Sequence, residues 1–305
     1  MKTKRFLNSC LWTIGTIVMT TALVSCGWMN GGKGGGKDPS PMTKKDHYDQ
    51  IEVPSSFSED RETITIDGVS FTMIRVEGGS FYMGAQGTDA AGQNYDPDAE
   101  EGEGTVRLDT IKTFYIGETE VTQALWTALT GDDSLEKNPP QFEGVVTYDE
   151  IGPQRPMCFV SALNSERFIT TLNEVTGCKF RLPTEAEWEF AARGGNQSRG
   201  FKYSGSDDID EVAWYRGNTD GKGSHDVKTK APNELGLYDM SGNACEWVSD
   251  EWIGYYYTDT PMTVRVHRGG SWFDEKEKCR VSARSGEDEE AGFNIIGFRL
   301  ALEVE

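Results

Sequence analysis

The sequence predicts a loop-rich α+β domain of about 240 residues, preceded by an export signal and a tether. Three observations predict it. Short alternating runs are bounded by Gly, Asn and Asp, as half-buried strands are. Three short helices can be delimited by their caps. From Gly195 onward no long amphipathic helix is readable, and Gly, Asn, Asp and Trp dominate. The 305 residues include 35 Gly, 8 Trp, 11 Tyr and 14 Phe. That aromatic content belongs to a packed chain and not to a disordered one.

The elements follow in chain order. Lys2, Lys4 and Arg5 form a basic start, and Leu11 to Val24 an apolar run too short for a comfortable membrane span. The first 25 residues therefore read as a signal peptide. Cys26 follows Leu23-Val24-Ser25 and resembles the lipidated Cys of a bacterial lipobox, so it is the expected lipidation site. Several acyl chains anchor a protein without a spanning helix. Residues 26–58 read as a Gly-rich, polar tether that holds residues 59–305 away from the bilayer. These features place the chain in a bacterial cell envelope, lipid-anchored in the outer membrane, facing periplasm or surface.

Within the body, Glu62–Ile66 alternates and meets Asp67-Gly68, the signal of a type I′ hairpin. Val69–Val76 is the returning strand, and Ser80–Gly84 starts another. Asp96–Glu103 reads as a solvated acidic loop, because it lacks the fixed offsets of a calcium loop. Helices are expected at Thr122–Leu129, ending at Gly131, and at Ser161–Val175, ending at Gly177. A third is expected at Thr184–Arg193, with a capping box from Thr184 and Glu187 and a left-handed Gly194. Short strands follow at Arg265–Arg268 and Gly297–Leu300.

Charge narrows the function classes. Fifty Asp and Glu against 30 Lys and Arg give a net charge of -20. Phosphate neutralisation needs clustered Lys and Arg, so nucleic acid is excluded as a partner. His47, His225 and His267 have no zinc-ligand spacing. There is no nucleophile elbow and no P-loop. Asp250, Glu251 and Tyr255–Tyr257 form an aromatic-acidic stretch suited to lining a cleft.

Four segments occur in a telling order: Glu118–Trp126, Phe180–Gly195, Pro232–Trp247 and Arg268–Trp272, closing with Gly297-Phe298-Arg299. Together they resemble the formylglycine-generating enzyme, or sulfatase-modifying factor, family over about Phe71 to Leu300. The resemblance implies a variant of the C-type lectin fold. It implies packing roles for Trp188, Trp247 and Trp272. Arg181, Arg268 and Arg299 are expected to satisfy buried carboxylates or carbonyls.

Activity is a separate question from fold. Enzymes of the family oxidise a sulfatase Cys to formylglycine with oxygen and a copper(I) ion held by two thiolates. By that resemblance the first thiolate position falls here on Asp274 and the second on Cys279. A hard carboxylate does not replace a thiolate for copper(I). Cys245 stands where the family usually has Trp. The resemblance further implies one structural calcium at Asp239, Gly242, Ala244 and Glu246, an oxygen-rich set. The stretch Val212-Ala213-Trp214 lacks the Asn of the family's second calcium site, which stays open.

Besides Cys10 and Cys26, the chain has Cys158, Cys178, Cys245 and Cys279, which allow three pairings. A helix of about 22 Å separates Cys158 from Cys178, too far for a bridge unless the flanking loops fold back. Cys245–Cys279 is the favoured disulfide, with a rebuilt thiolate pair as the alternative.

The leading expectation is a non-catalytic binding or assembly component of the envelope, with a protein partner there. The second is a copper-dependent formylglycine-generating oxidase with Ser271 and Cys279 as catalytic residues and a sulfatase-like substrate. The third is a calcium-dependent lectin-like module.

Overall fold

Alternation along the strands decides the architecture. A strand sends successive side chains to opposite faces. In β3 (Val69–Val76), Met73 joins one apolar cluster, and Ile74 and Val76 join the other. In β6 (Phe114–Gly117), Tyr115 faces the first cluster, and Phe114 and Ile116 face the second. The central sheet is thus covered on both faces.

The computed structural model describes residues 45, 47–103, 105–133, 151–255 and 261–304. They belong to one unit, Lys37–Glu305. The signal, Cys26, the Gly-rich part of the tether, and Tyr256 and Tyr257 lie outside the described residues.

The central sheet has the order β1-β2-β3-β6-β12-β7. Its other strands are β1 (Ile51–Glu52), β2 (Arg61–Ile66), β7 (Phe180–Arg181) and β12 (Ala301–Glu303). A second sheet, β10-β9-β8-β11, comprises β8 (Cys245–Tyr255), β9 (Pro261–Arg268), β10 (Arg284–Glu287) and β11 (Ile296–Phe298). β11 runs parallel to β8, and the other pairs are antiparallel. β4 (Gly79–Met83) and β5 (Arg107–Ile111) form a two-stranded ribbon.

The expected hairpin forms. Asp67 and Gly68 have φ of 45° and 81°, and Ile66 pairs with Val69. The expected helices occur at Gln123–Thr130, Ala162–Thr176 and Glu185–Ala192. Thr122, Ser161 and Thr184 cap them, and the capping box of Thr184 and Glu187 is complete. Asp250, beside a bulge in β8, accepts from the Glu185 amide at 2.7 Å and so fixes the third helix against the second sheet.

Two expectations are corrected. Residues 45–58 are not all tether. Ile51 and Glu52 pair with Ile66 and Thr65, and the Tyr48 hydroxyl donates to the Leu129 carbonyl at 2.7 Å. β2 would otherwise be an open edge, and β1 covers it. The acidic loop is also not simply solvated. Arg280 is fully buried and pairs with Glu103 and Asp96. Lys202 takes Asp96 and Asp98, and Lys278 takes Glu100.

Magnitudes separate these pairs. Removing one partner of a buried pair strands the other, whereas half-exposed pairs contribute little. Arg280→Met is expected to lower unfolding free energy by about 3–5 kcal/mol. Lys278→Met is expected to lower it by less than about 1 kcal/mol. Urea unfolding of both variants checks this.

Candidate functional site

The site is built where β9 ends. After Arg268 the chain turns through Gly269 and Gly270, with φ of 93° and 68°. A Cβ on Gly270 would lie 2.8 Å from the Cys279 sulfur, so only glycine lets the backbone pass this thiol. Ser271, Trp272 and Asp274 follow, and a short 3₁₀ turn, Lys276–Cys279, closes the segment.

Asp274 organises the turn. The Ser271 hydroxyl donates to its carboxylate at 2.6 Å, and the Cys245 thiol donates to the same oxygen at 3.7 Å. Burial pushes the Asp274 carboxyl above its usual range, opposed by the Ser271 hydrogen bonds. Burial also pushes the Cys279 thiol well up, and the charge of Asp274 adds to that. The Cys279 thiol meets the Glu275 carbonyl at 3.9 Å. Ser271, Cys245 and Cys279 are buried as well.

The expected Cys245–Cys279 bridge is corrected: both stand as thiols, as do Cys158 and Cys178. Cys245 begins β8 and packs in the first apolar cluster, with its thiol on Asp274. Cys279 packs with Tyr203, Ile209, Val212 and Ala213 in a separate cluster. Among the described residues, no group of three or more His, Cys, Asp or Glu side chains is arranged to hold a metal.

The residues of the expected calcium site are brought close. Asp239 is buried on a left-handed turn with φ 57°. One carboxylate oxygen accepts from the Lys228 amide at 2.8 Å, and the other has no hydrogen-bond partner. Burial pushes this carboxyl up to about 6. Gly242 has φ 76°, and a Cβ there would sit 2.3 Å from the Trp214 carbonyl oxygen. Ala244 and Glu246 are fully buried. Glu246 is engaged by other groups: Arg299 donates to both its oxygens at 2.6 Å, and Trp188 donates its indole N–H at 2.6 Å.

Sequence reasoning missed two residues of this centre, although both lie inside the quoted motifs. Asn243, with φ 62°, donates its amide to the Trp214 carbonyl and its side chain to Glu120. Its side-chain oxygen accepts from the His225 amide. Glu120 is buried, and its second carboxylate oxygen has no hydrogen-bond partner. Burial, then repulsion from Asp239 and Glu246, pushes its carboxyl well above the usual range. The place of Asn243 and Glu120 inside two of the family motifs was the available signal.

The expected arginine roles are seen. Arg268 pairs with Glu189 and donates to the carbonyls of Val281, Ser282 and Ala283. Arg181 grips Glu187 with two nitrogens. Trp188, Trp247 and Trp272 are buried in the core. A cavity of about 610 Å³ lies elsewhere, lined by Lys45, Asp67, Trp126, Thr127 and Met157 among others, and by no residue of the 269–280 turn.

A loop-rich α+β domain whose turn after Gly-Gly-Ser carries an acid and one thiol defines a class. Residues 65–304 match the model of the sulfatase-modifying factor enzyme 1-like domain. The chain belongs to that family. A chaperone protein, LppX, of Paenibacillus barcinonensis is 33% identical over 216 residues, covering 57% of this chain and 74% of that one. A formylglycine-generating enzyme of Streptomyces coelicolor is 28% identical, covering 76% and 89%. An inactive C-alpha-formylglycine-generating enzyme 2 of Bos taurus is 27% identical, covering 77% and 89%. The solved variable protein 1 of Treponema denticola superposes with a TM-score of 0.63 at 28% identity, over 80% of this chain and 99% of that one.

One histidine makes this region sensitive to pH. His267 precedes the turn, lies edge-on to Trp247 at 5.6 Å, and is buried. Burial, then the charge of Lys278, pushes its pKa down to about 3 from the ordinary 6.5. The unfolded chain therefore binds the extra proton first. The stability tied to neutral His267 is complete above pH 6.5 and falls as pH drops toward 3. The loss is about 1.4 kcal/mol per pH unit. His267→Phe is expected to shrink the stability difference between pH 7 and pH 4.5 by about 2–3 kcal/mol, read from urea unfolding at both values.

Proposed function

We propose that the chain is an exported, lipid-anchored member of its family that serves as a non-catalytic binding or assembly component of a bacterial cell envelope. The observation that carries this reading is Asp274. By the resemblance it falls at the family's first copper-holding thiolate position, and it takes the Ser271 hydroxyl at 2.6 Å and the Cys245 thiol at 3.7 Å. Its hard oxygen does not suit copper(I). The remaining Cys279 thiol is held toward its protonated form. The donor set therefore does not fit the copper ion, and no oxidation step is assigned to these residues.

The comparisons are compatible with this reading, since the family includes relatives named as an enzyme, as an inactive enzyme and as a chaperone. Lipidation at Cys26 and the tether after it supply the anchor. An envelope protein is the proposed partner, bound by the domain held off the membrane.

Calcium is the proposed structural cofactor. The donor chemistry at Asp239 fits it: a buried carboxylate oxygen accepts nothing from the protein, and calcium takes hard oxygens. The carbonyls of Gly242 and Ala244 are the backbone ligands of this reading. When bound, the ion would neutralise the buried acids and order the Asp239–Ala244 loop.

The test is copper(I) titration of the full chain in detergent, followed by formylglycine assay on a Cys-x-Pro-x-Arg peptide. The expected outcome is neither stoichiometric tight copper nor turnover. Turnover would establish the oxidase instead. Asp274→Cys restores a second thiol at the position and is expected to raise copper(I) affinity.

A further inference from the structure

The ribbon of β4 and β5 carries apolar surface that the rest of the fold does not cover. Among the described residues, four large hydrophobic side chains are exposed. Three of them, Tyr82, Tyr95 and Leu108, lie in this ribbon or in the loop beside it. Leu108 is 63% exposed. Tyr82 and Leu108 stand directly opposite each other, so they share the ribbon's outer face. Phe81, on the inner face, packs on Phe190 at 5.2 Å. Tyr95 follows Asn94, whose side chain donates to the carbonyls of Tyr82 and Gly84. Exposed apolar residues that cluster mark an interaction surface, whereas scattered ones need no explanation.

The backbone of β5 is open beside this patch. In an antiparallel pair, directly opposite residues either bond each other or both turn their N–H and C=O outward. The Tyr82 carbonyl faces outward, onto Asn94. Its partner Leu108 therefore also turns its N–H and C=O outward, as does Thr110. The Ser80 and Thr110 hydroxyls meet at 2.8 Å, as the closer side chains of such a pair can. The Thr110 N–H is taken by the Asp109 side chain at 2.9 Å. Among the described strands β5 has β4 as its one neighbour, which leaves Leu108 on a free edge. Such an edge is a template for another strand.

Charge selects the strand that fits. Arg107 and Asp109 flank Leu108, and their side chains are 56% and 32% exposed. An antiparallel copy of β5 centred on Leu108 sets each Arg107 against the Asp109 of the other copy. It also pairs the outward groups of the two Leu108 residues with each other. Centring on Asp109 would oppose two like charges, which is destabilising. A two-fold contact requires this self-complementarity.

We propose that a second copy of this chain docks on β5, so that two ribbons form one four-stranded sheet about a two-fold axis at Leu108. Tyr82 and Leu108 of both copies then make one apolar row across the sheet. The interface is independent of what the domain binds.

Sedimentation velocity of the full chain in detergent, over a concentration series, is expected to show the mass of two chains. Leu108→Lys changes an exposed side chain and is expected to sediment as a monomer. Arg107→Asp or Asp109→Arg alone opposes like charges and is expected to weaken the dimer on the order of ten-fold. The variant carrying both changes is expected to recover the parent's affinity. Leu108→Cys places two Cα atoms about 5.5 Å apart across the axis and is expected to form a covalent dimer with diamide. Ser80→Cys, on β4, stays at least about 14 Å from its counterpart and is expected not to. A parent that is monomeric throughout the series overturns the proposal. A dimer that survives Leu108→Lys, or in which Leu108→Cys does not cross-link, overturns it as well, because the interface then lies elsewhere.

Discussion

Glu246 and Arg299 are both fully buried, and the rest of the fold is arranged around their pair. Burying two charges costs several kcal/mol per ion unless every polar atom finds a partner. Here they do. The Arg299 fork grips both oxygens of Glu246, and its remaining N–H groups reach the carbonyls of Gly117 and Tyr238. Trp188 completes the shell from the third helix. One pair therefore joins the end of β6, the loop before β8, β8 itself and the segment between β11 and β12. The two sheets cannot slide without breaking it. A domain with so little regular structure needs such a fastening, because its loops carry backbone groups that no ladder satisfies.

The same logic explains how a chain of net charge -20 packs its acids. Glu189 is held below the usual carboxylate range against the cost of its burial, because Arg193 and Arg268 flank it. Glu103 and Asp96 are drawn onto Arg280. Arg265 bridges Glu166 to Glu289. Each buried Arg comes with its own acids. The acids in these pairs are neutralised where they are buried.

What was legible in the sequence was local. Capping residues gave the three helices, since Thr122, Ser161 and Thr184 act through bonds to the next turn. Asp67-Gly68 gave the hairpin, since φ above zero is needed at both positions. The family motifs located the turn after Gly-Gly-Ser and the fold. What was not legible depends on distant partners. β1 forms only because β2 offers an edge, and the acidic loop is ordered by Lys202, Lys278 and Arg280 from much later in the chain. The sequence does not show that Arg299 and Trp188 converge on Glu246, because both partners lie more than fifty residues from it. Glu120 was missed for the converse reason: it looks like one more acid before a helix.

Asp274 sets the chemistry of the turn it sits in. A thiolate pair for a soft ion needs two polarizable donors, each able to give up its proton. An acid at one position does more than delete a donor. It supplies negative charge beside Cys279 and so disfavours that thiolate. It draws in the Ser271 hydroxyl and the Cys245 thiol as donors. The Gly270 backbone passes the Cys279 sulfur so closely that no side chain fits between them. The turn is thereby closed by hydrogen bonds and packing. Unmatched acids lie elsewhere among the described residues: carboxylate oxygens of Glu120, Glu185, Glu234 and Asp239 are buried with no donor from the protein.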